Sequence, residues 1–232
     1  MPSPAILRTG SVCAAAFAAT FVWVTASRAA HPDPSPVARA LVDPTVQGRE
    51  WVLFWALLAM PAIFVALHEH LGASPRAGWS RTGLIFLVLF TVFEVSHRGV
   101  LLVAGPALAK IALGEGAEAT AASVWLFGLE QSVRGIYVPL LAAHGLGSIA
   151  VAVAAQGPGP ERLLRWAFIA NALRLALRLA QYPGGLTELG PLNAALLGPV
   201  LTLVYAGVAV ALWQLAGPVA LRRPGVLARA RR

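Results

Sequence analysis

Apolar residues fall in six blocks long enough to cross a bilayer, near residues 9–26, 51–70, 83–104, 134–155, 163–182 and 191–216. About 20 helical residues at 1.5 Å each span the hydrocarbon core. The pattern predicts an all-α, polytopic transmembrane bundle of about six spans. Pro61 predicts a kink in the second block, and Gly198 with Pro199 predicts one in the last. Residues 27–50 hold Pro32, Pro34, Pro36 and Pro44 among mixed charges and read as a loop. Residues 105–133, rich in Gly and Ala and interrupted by Glu115 and Glu118, read as an interfacial helix leading into the fourth span. The first block has a rival reading as a cleaved signal peptide, with Arg8 as its basic start and Val24 and Ala26 before the cut. A retained helix agrees better with the charge distribution described below.

The fifth block, ERLLRWAFIANALRLALRLAQY from Glu161 to Tyr182, breaks the pattern by carrying arginines in its interior. At about 100° per residue, Asn171, Arg174, Arg178 and Gln181 share one narrow stripe, with Ile169, Leu173, Leu175 and Leu177 on the other faces. In the third block, Thr91, Glu94, His97 and Arg98 form a comparable polar sector. In the fourth, His144 lies beside Gly145, Gly147 and Ser148, small residues that permit close helix contact.

Composition narrows the class. With 58% hydrophobic and 12% charged residues in 232, the chain lies outside the soluble range. The net charge of +8 does not imply nucleic acid, because the basic residues flank apolar spans and form no soluble basic face. With both ends cytoplasmic, Arg8, Arg76, Arg81, Arg162, Arg165 and the tail residues Arg222, Arg223, Arg229, Arg231 and Arg232 lie inside. Arg28, Arg39, Arg49 and Lys110 lie outside, so the positive-inside rule favours this orientation, with 217–232 as a basic cytoplasmic tail. The arginine, alanine, glycine and proline usage points to a GC-rich bacterium and hence to a bacterial cytoplasmic membrane. The lone Cys13 permits no intramolecular disulfide.

Several short patches over residues 51–217 carry a resemblance: an acidic residue in the third helix, Glu94; the run Arg162, Leu163, Leu164, Arg165 and Trp166 entering the fifth; and Pro199, Trp213 and Gly217 in the last. In these and in its layout the chain resembles the domain of unknown function 4386 family of bacterial multi-pass membrane proteins. The resemblance implies a bundle of roughly six helices and brings no established activity. Family members often have an acid between that proline and tryptophan. Here the interval holds apolar and small residues with Thr202 and Tyr205.

A charge at the bilayer centre costs about 2.5–3.5 kcal/mol on insertion scales, so Arg174 needs a partner. Glu94, at a similar depth by residue count, is the expected one, while Arg98 one turn further along can also reach it. Arg178 is placed to snorkel outward. Glu94, His97, Arg98, His144, Asn171, Arg174 and Arg178 together make the expected buried cluster, with surplus positive charge that Glu130 partly offsets. Such a cluster can be a structural ion-pair network, an anion or lipid-headgroup site, or a proton or substrate pathway. His97 and His144 at similar depths also allow haem ligation as a lesser alternative. His68, Glu69 and His70 diverge around a helix and form no metal site, and neither HExxH nor GxSxG occurs, so no catalytic residue, metal or required cofactor is assigned. The expectation is a binding or transport-like membrane module for a small anionic or lipid-like ligand. The alternatives are a structural subunit with membrane-protein partners and a haem-carrying electron-transfer protein.

Overall fold

The computed structural model of the protein describes residues 2–182 and 184–217, and among these it contains helices and turns but no strand. The helices are α1 (Pro4–Ala30), α2 (Val37–Val42), α3 (Pro44–Leu58), α4 (Met60–Leu71), α5 (Ala77–Ala112), α6 (Ala117–Ala154), α7 (Pro160–Gln181) and α8 (Gly190–Leu215). Five segments are long and apolar enough to cross a membrane: α1, α3 with α4, α5, α6, and the stretch ending in α8. The protein is therefore an all-α, polytopic membrane bundle. Helix α7 is less apolar because of its arginines, yet its 22 residues reach about 33 Å and pack between α6 and α8. The tail arginines from Arg222 onward lie outside the described residues.

Neighbours in sequence are neighbours in space. Helix α5 packs on α6, α6 on α7, α7 on α8, α8 on α1, and α1 on α3 and α4, which return to α5. The result is a closed ring with six walls. The α1–α8 seam is tight: Ser11 Oγ donates to the Ala209 carbonyl at 2.7 Å in a buried setting, and Gly198 lies directly against Thr25.

Pro61 breaks the second wall as its chemistry requires, since it has no amide hydrogen and its ring clashes with the carbonyl four residues back. The chain passes from α3 to α4 at Ala59. By contrast, α8 runs through Pro199 as a single helix. The stretch 105–133, read as an interfacial helix leading into the fourth span, is shared between two long helices. Its first residues continue α5 through Pro106 to Ala112, and the remainder from Ala117 opens α6. Strong helix formers such as Ala and Leu outweigh the scattered glycines there. At 36 and 38 residues, about 54 and 57 Å, these two helices outrun the others and form a long hairpin.

The α5–α6 contact depends on Gly147, where an added Cβ would meet Leu87 Cγ at 2.7 Å and the Leu87 backbone nitrogen at 3.2 Å. Gly145 is not equivalent: its nearest neighbour, Leu175 Cβ, would lie at an ordinary 3.9 Å. Gly147→Ala is expected to destabilise the bundle by about 1–3 kcal/mol through overpacking. Gly145→Ala is expected to change little; parallel unfolding of the two variants in micelles checks the contrast.

Candidate functional site

All six walls line one cavity of about 130 Å³ inside the ring. Most of its lining is apolar, including Phe17, Phe21, Leu57, Met60, Phe90 and Leu201, while Arg28, Glu94, His97, Arg98, His144, Arg174 and Tyr205 supply polar groups. A space of this size holds several waters or a small organic group. Most of its polar side chains fall into two networks.

The first is a chain of alternating charge across α1, α3 and α5. Arg28 Nη2 donates to Glu50 Oε1 at 3.1 Å. The other Glu50 oxygen accepts from Arg98 Nη1, and Arg98 Nε donates to Glu94 Oε1 at 2.6 Å. His97 Nδ1 lies 3.6 Å from the remaining Glu94 oxygen, too far for a hydrogen bond, and is buried without a hydrogen-bond partner. Two glutamates thus neutralise two arginines. Glu94 accordingly pairs with Arg98 and not, as expected, with Arg174. The i,i+4 spacing brings Arg98 onto the same helical face, whereas equal depth on different helices guarantees no contact.

The second network centres on Asn171, which is fully buried. Its Oδ1 accepts from Arg174 Nε at 3.2 Å and from Nη2 at 3.1 Å. Its Nδ2 lies 2.9 Å from both His144 Nε2 and Ser148 Oγ. A guanidinium cannot accept a hydrogen bond, so the amide oxygen must face Arg174 and the NH2 group must face the other two. His144 Nε2 is then an acceptor and the ring carries its proton on Nδ1. Phe90 stacks on that ring with centroids 3.9 Å apart, and Ser148 donates to the His144 carbonyl at 2.8 Å.

This arrangement leaves Arg174 with an amide oxygen and no carboxylate. Of the three arginines lining the cavity, it alone makes no ion pair among the described residues. Tyr205 also faces the cavity, and its buried hydroxyl has no hydrogen-bond partner. The ring of Tyr205 is held edge-on against Phe17 at 4.5 Å.

Arg178 stands apart from the cavity lining. Its Nε donates to Tyr137 Oη at 3.2 Å and its Nη1 to Gln181 Oε1 at 2.8 Å. The guanidinium lies 5.6 and 5.5 Å from the Tyr137 and Tyr182 rings, within cation–π range. These contacts hold the side chain between α6 and α7, and it does not reach freely outward. Glu130 pairs with exposed Arg134 at 2.6 Å and offsets none of the cavity charge.

Four contributors escaped the sequence reading: Arg28, Glu50, Tyr137 and Tyr205. Arg28 and Glu50 lie in what reads as a Pro-rich loop, but α1 extends to Ala30 and α3 starts at Pro44. The start of α3 had a signal, since the Asp43 carboxylate accepts from Thr45 N at 2.8 Å and Val46 N at 3.0 Å, an N-cap followed by proline at N1.

Haem does not fit this site. His144 Nε2 is occupied by Asn171, Phe90 covers the imidazole face, and about 130 Å³ is too small for a porphyrin. No group of three or more His, Cys, Asp or Glu side chains suited to a metal occurs among the described residues. The fold and cavity define a membrane helix bundle that surrounds a mainly apolar, partly open chamber with a cationic polar patch. No protein-family model, curated protein or solved structure matches the chain, so its functional reading rests on the chemistry of that chamber.

Proposed function

We propose that the protein is a binding or transport-like module of a bacterial cytoplasmic membrane, and that its cavity takes a small anionic or amphipathic ligand. Arg174 carries the reading. A buried guanidinium without a counter-charge is costly, and Asn171 holds this one through two of its nitrogens while Nη1 makes no hydrogen bond with a described residue. Guanidinium groups recognise carboxylate and phosphate through paired hydrogen bonds, and the apolar walls suit a hydrocarbon portion.

The test is native mass spectrometry after mild detergent extraction, with identification of what co-purifies. Arg174→Gln is expected to lower ligand retention at least about tenfold, the consequence of losing a charged hydrogen bond worth about 1.5–3 kcal/mol, while the protein still folds. Equal retention by a folded variant would count against the proposal. A second reading, a subunit of a larger membrane complex, draws support from the α5–α6 hairpin, where Val124, Trp125 and Phe127 are exposed. The same spectra would show a retained partner subunit.

The proposed orientation places both ends in the cytoplasm. In a Cys13→Ser background, a cysteine replacing Glu115 is expected to label with an impermeant maleimide in intact cells, and one replacing Ser74 only after permeabilisation. The reverse pattern would invert the topology. A retained first helix is supported by the contribution of Phe17, Phe21 and Arg28 to the cavity wall.

A further inference from the structure

We infer that the ligand is an organic monoanion with one apolar chain, whose carboxylate lies between Arg174 and the Tyr205 hydroxyl; this rests on the binding reading above. Three observations converge. Charge sets the valence: among the cavity-lining arginines, Arg28 is matched by Glu50, and Arg98 by Glu50 and Glu94, which leaves Arg174 to be neutralised by one negative charge. A dianion such as an alkyl phosphate would bring a second charge with no free cation lining the cavity.

Hydrogen-bond capacity sets the group. Arg174 offers Nη1 with donors only, and the Tyr205 hydroxyl is buried, without a partner and part of the same lining. A carboxylate, which only accepts, can take a bond from each. A neutral alcohol could meet the phenol but would leave the guanidinium charge unmatched.

Size and walls set the remainder. The cavity, at about 130 Å³, is close to the roughly 150 Å³ apolar cavity that accommodates benzene. It admits a carboxylate with a short chain, or the head end of a longer one, and has no room for two chains. Phe17, Phe90 and Leu201 give the chain apolar contacts, while a carboxylate lacking a chain would forgo them.

The experiment uses the full-length protein in lipid nanodiscs at pH 8, with empty nanodiscs as the partition control, and titrates decanoate, decanol, decyl phosphate and acetate by calorimetry. Decanoate is expected to bind at least tenfold more tightly than the other three. Tyr205→Phe is expected to weaken decanoate about three- to tenfold while leaving the unliganded melting temperature unchanged or higher, because the removed hydroxyl has no partner. A purely structural tyrosine would not move the affinity, and unchanged affinity overturns its assignment. Decanol equal to decanoate, or decyl phosphate tighter, overturns the monoanion inference and leaves the binding proposal standing. Tight acetate binding removes the chain. Binding of none of the four defeats the inference, and if native spectra also show no retained molecule, the binding proposal fails with it.

Discussion

Replacing Arg98 with methionine is expected to lower the unfolding free energy by about 3–5 kcal/mol, the range for removing one partner of a buried ion pair. Arg98 bridges Glu50 on α3 and Glu94 on its own helix. Without it, Glu50 keeps Arg28 at 3.1 Å, but Glu94 retains only His97 at 3.6 Å. A carboxylate in the bundle interior then has no guanidinium. The double change Glu94→Gln with Arg98→Met removes both charges and is expected to recover most of the loss. Reversible unfolding in mixed micelles measures both variants, and a single-variant loss below about 1 kcal/mol would show that the chain of charges contributes little to stability.

Asn171→Asp is expected to abolish ligand retention while preserving the fold, reducing decanoate affinity at least about tenfold for the same charged-bond cost. The new carboxylate keeps the position of Oδ1 and both bonds from Arg174, and it also supplies the missing negative charge. Its second oxygen faces His144 Nε2 and Ser148 Oγ, which accommodate it by moving the imidazole proton to Nε2 and turning the serine hydroxyl. An external anion then has no unmatched cation to meet. Calorimetry with decanoate reads the affinity and circular dichroism the fold. A folded Asp variant that binds as well as wild type would remove the electrostatic basis of the site. Asn171→Leu offers a control of opposite kind, since it leaves Arg174 without either bond and is expected to destabilise the bundle.

Helical periodicity was enough to place Asn171, Arg174 and Arg178 on one stripe and Glu94, His97 and Arg98 on another, because side-chain direction repeats with the helix. It could not pair the stripes. Residue counting gives depth along an axis, whereas contact depends also on which face of each helix turns toward the other, so Glu94 met Arg98 in its own helix and Arg174 met Asn171. Asn171 shows a related limit: its bonds to His144 and Ser148 on the preceding helix join residues 27 and 23 apart in sequence, a juxtaposition no local pattern encodes. Tyr205 was visible, beside Thr202, as one of the few polar residues in an apolar last helix, but its unpartnered hydroxyl becomes apparent only once the cavity exists. Arg28 and Glu50 were hidden by composition, since proline-rich flanks read as a loop even where Asp43 and Pro44 mark a helix start.

The closed ring of walls also bears on how the chain assembles. Each helix can dock on its predecessor as it emerges, except that α1 must wait for α8; the Ser11–Ala209 bond spans 198 residues. Until α8 arrives, Tyr205 is absent and Arg174 faces an open seam, so a partly synthesised chain has no chamber to fill. A ligand that occupies the finished chamber binds only the closed form and stabilises it by mass action. Filling the chamber would thus act as a late step of biogenesis, slowing separation of the first helix from the last.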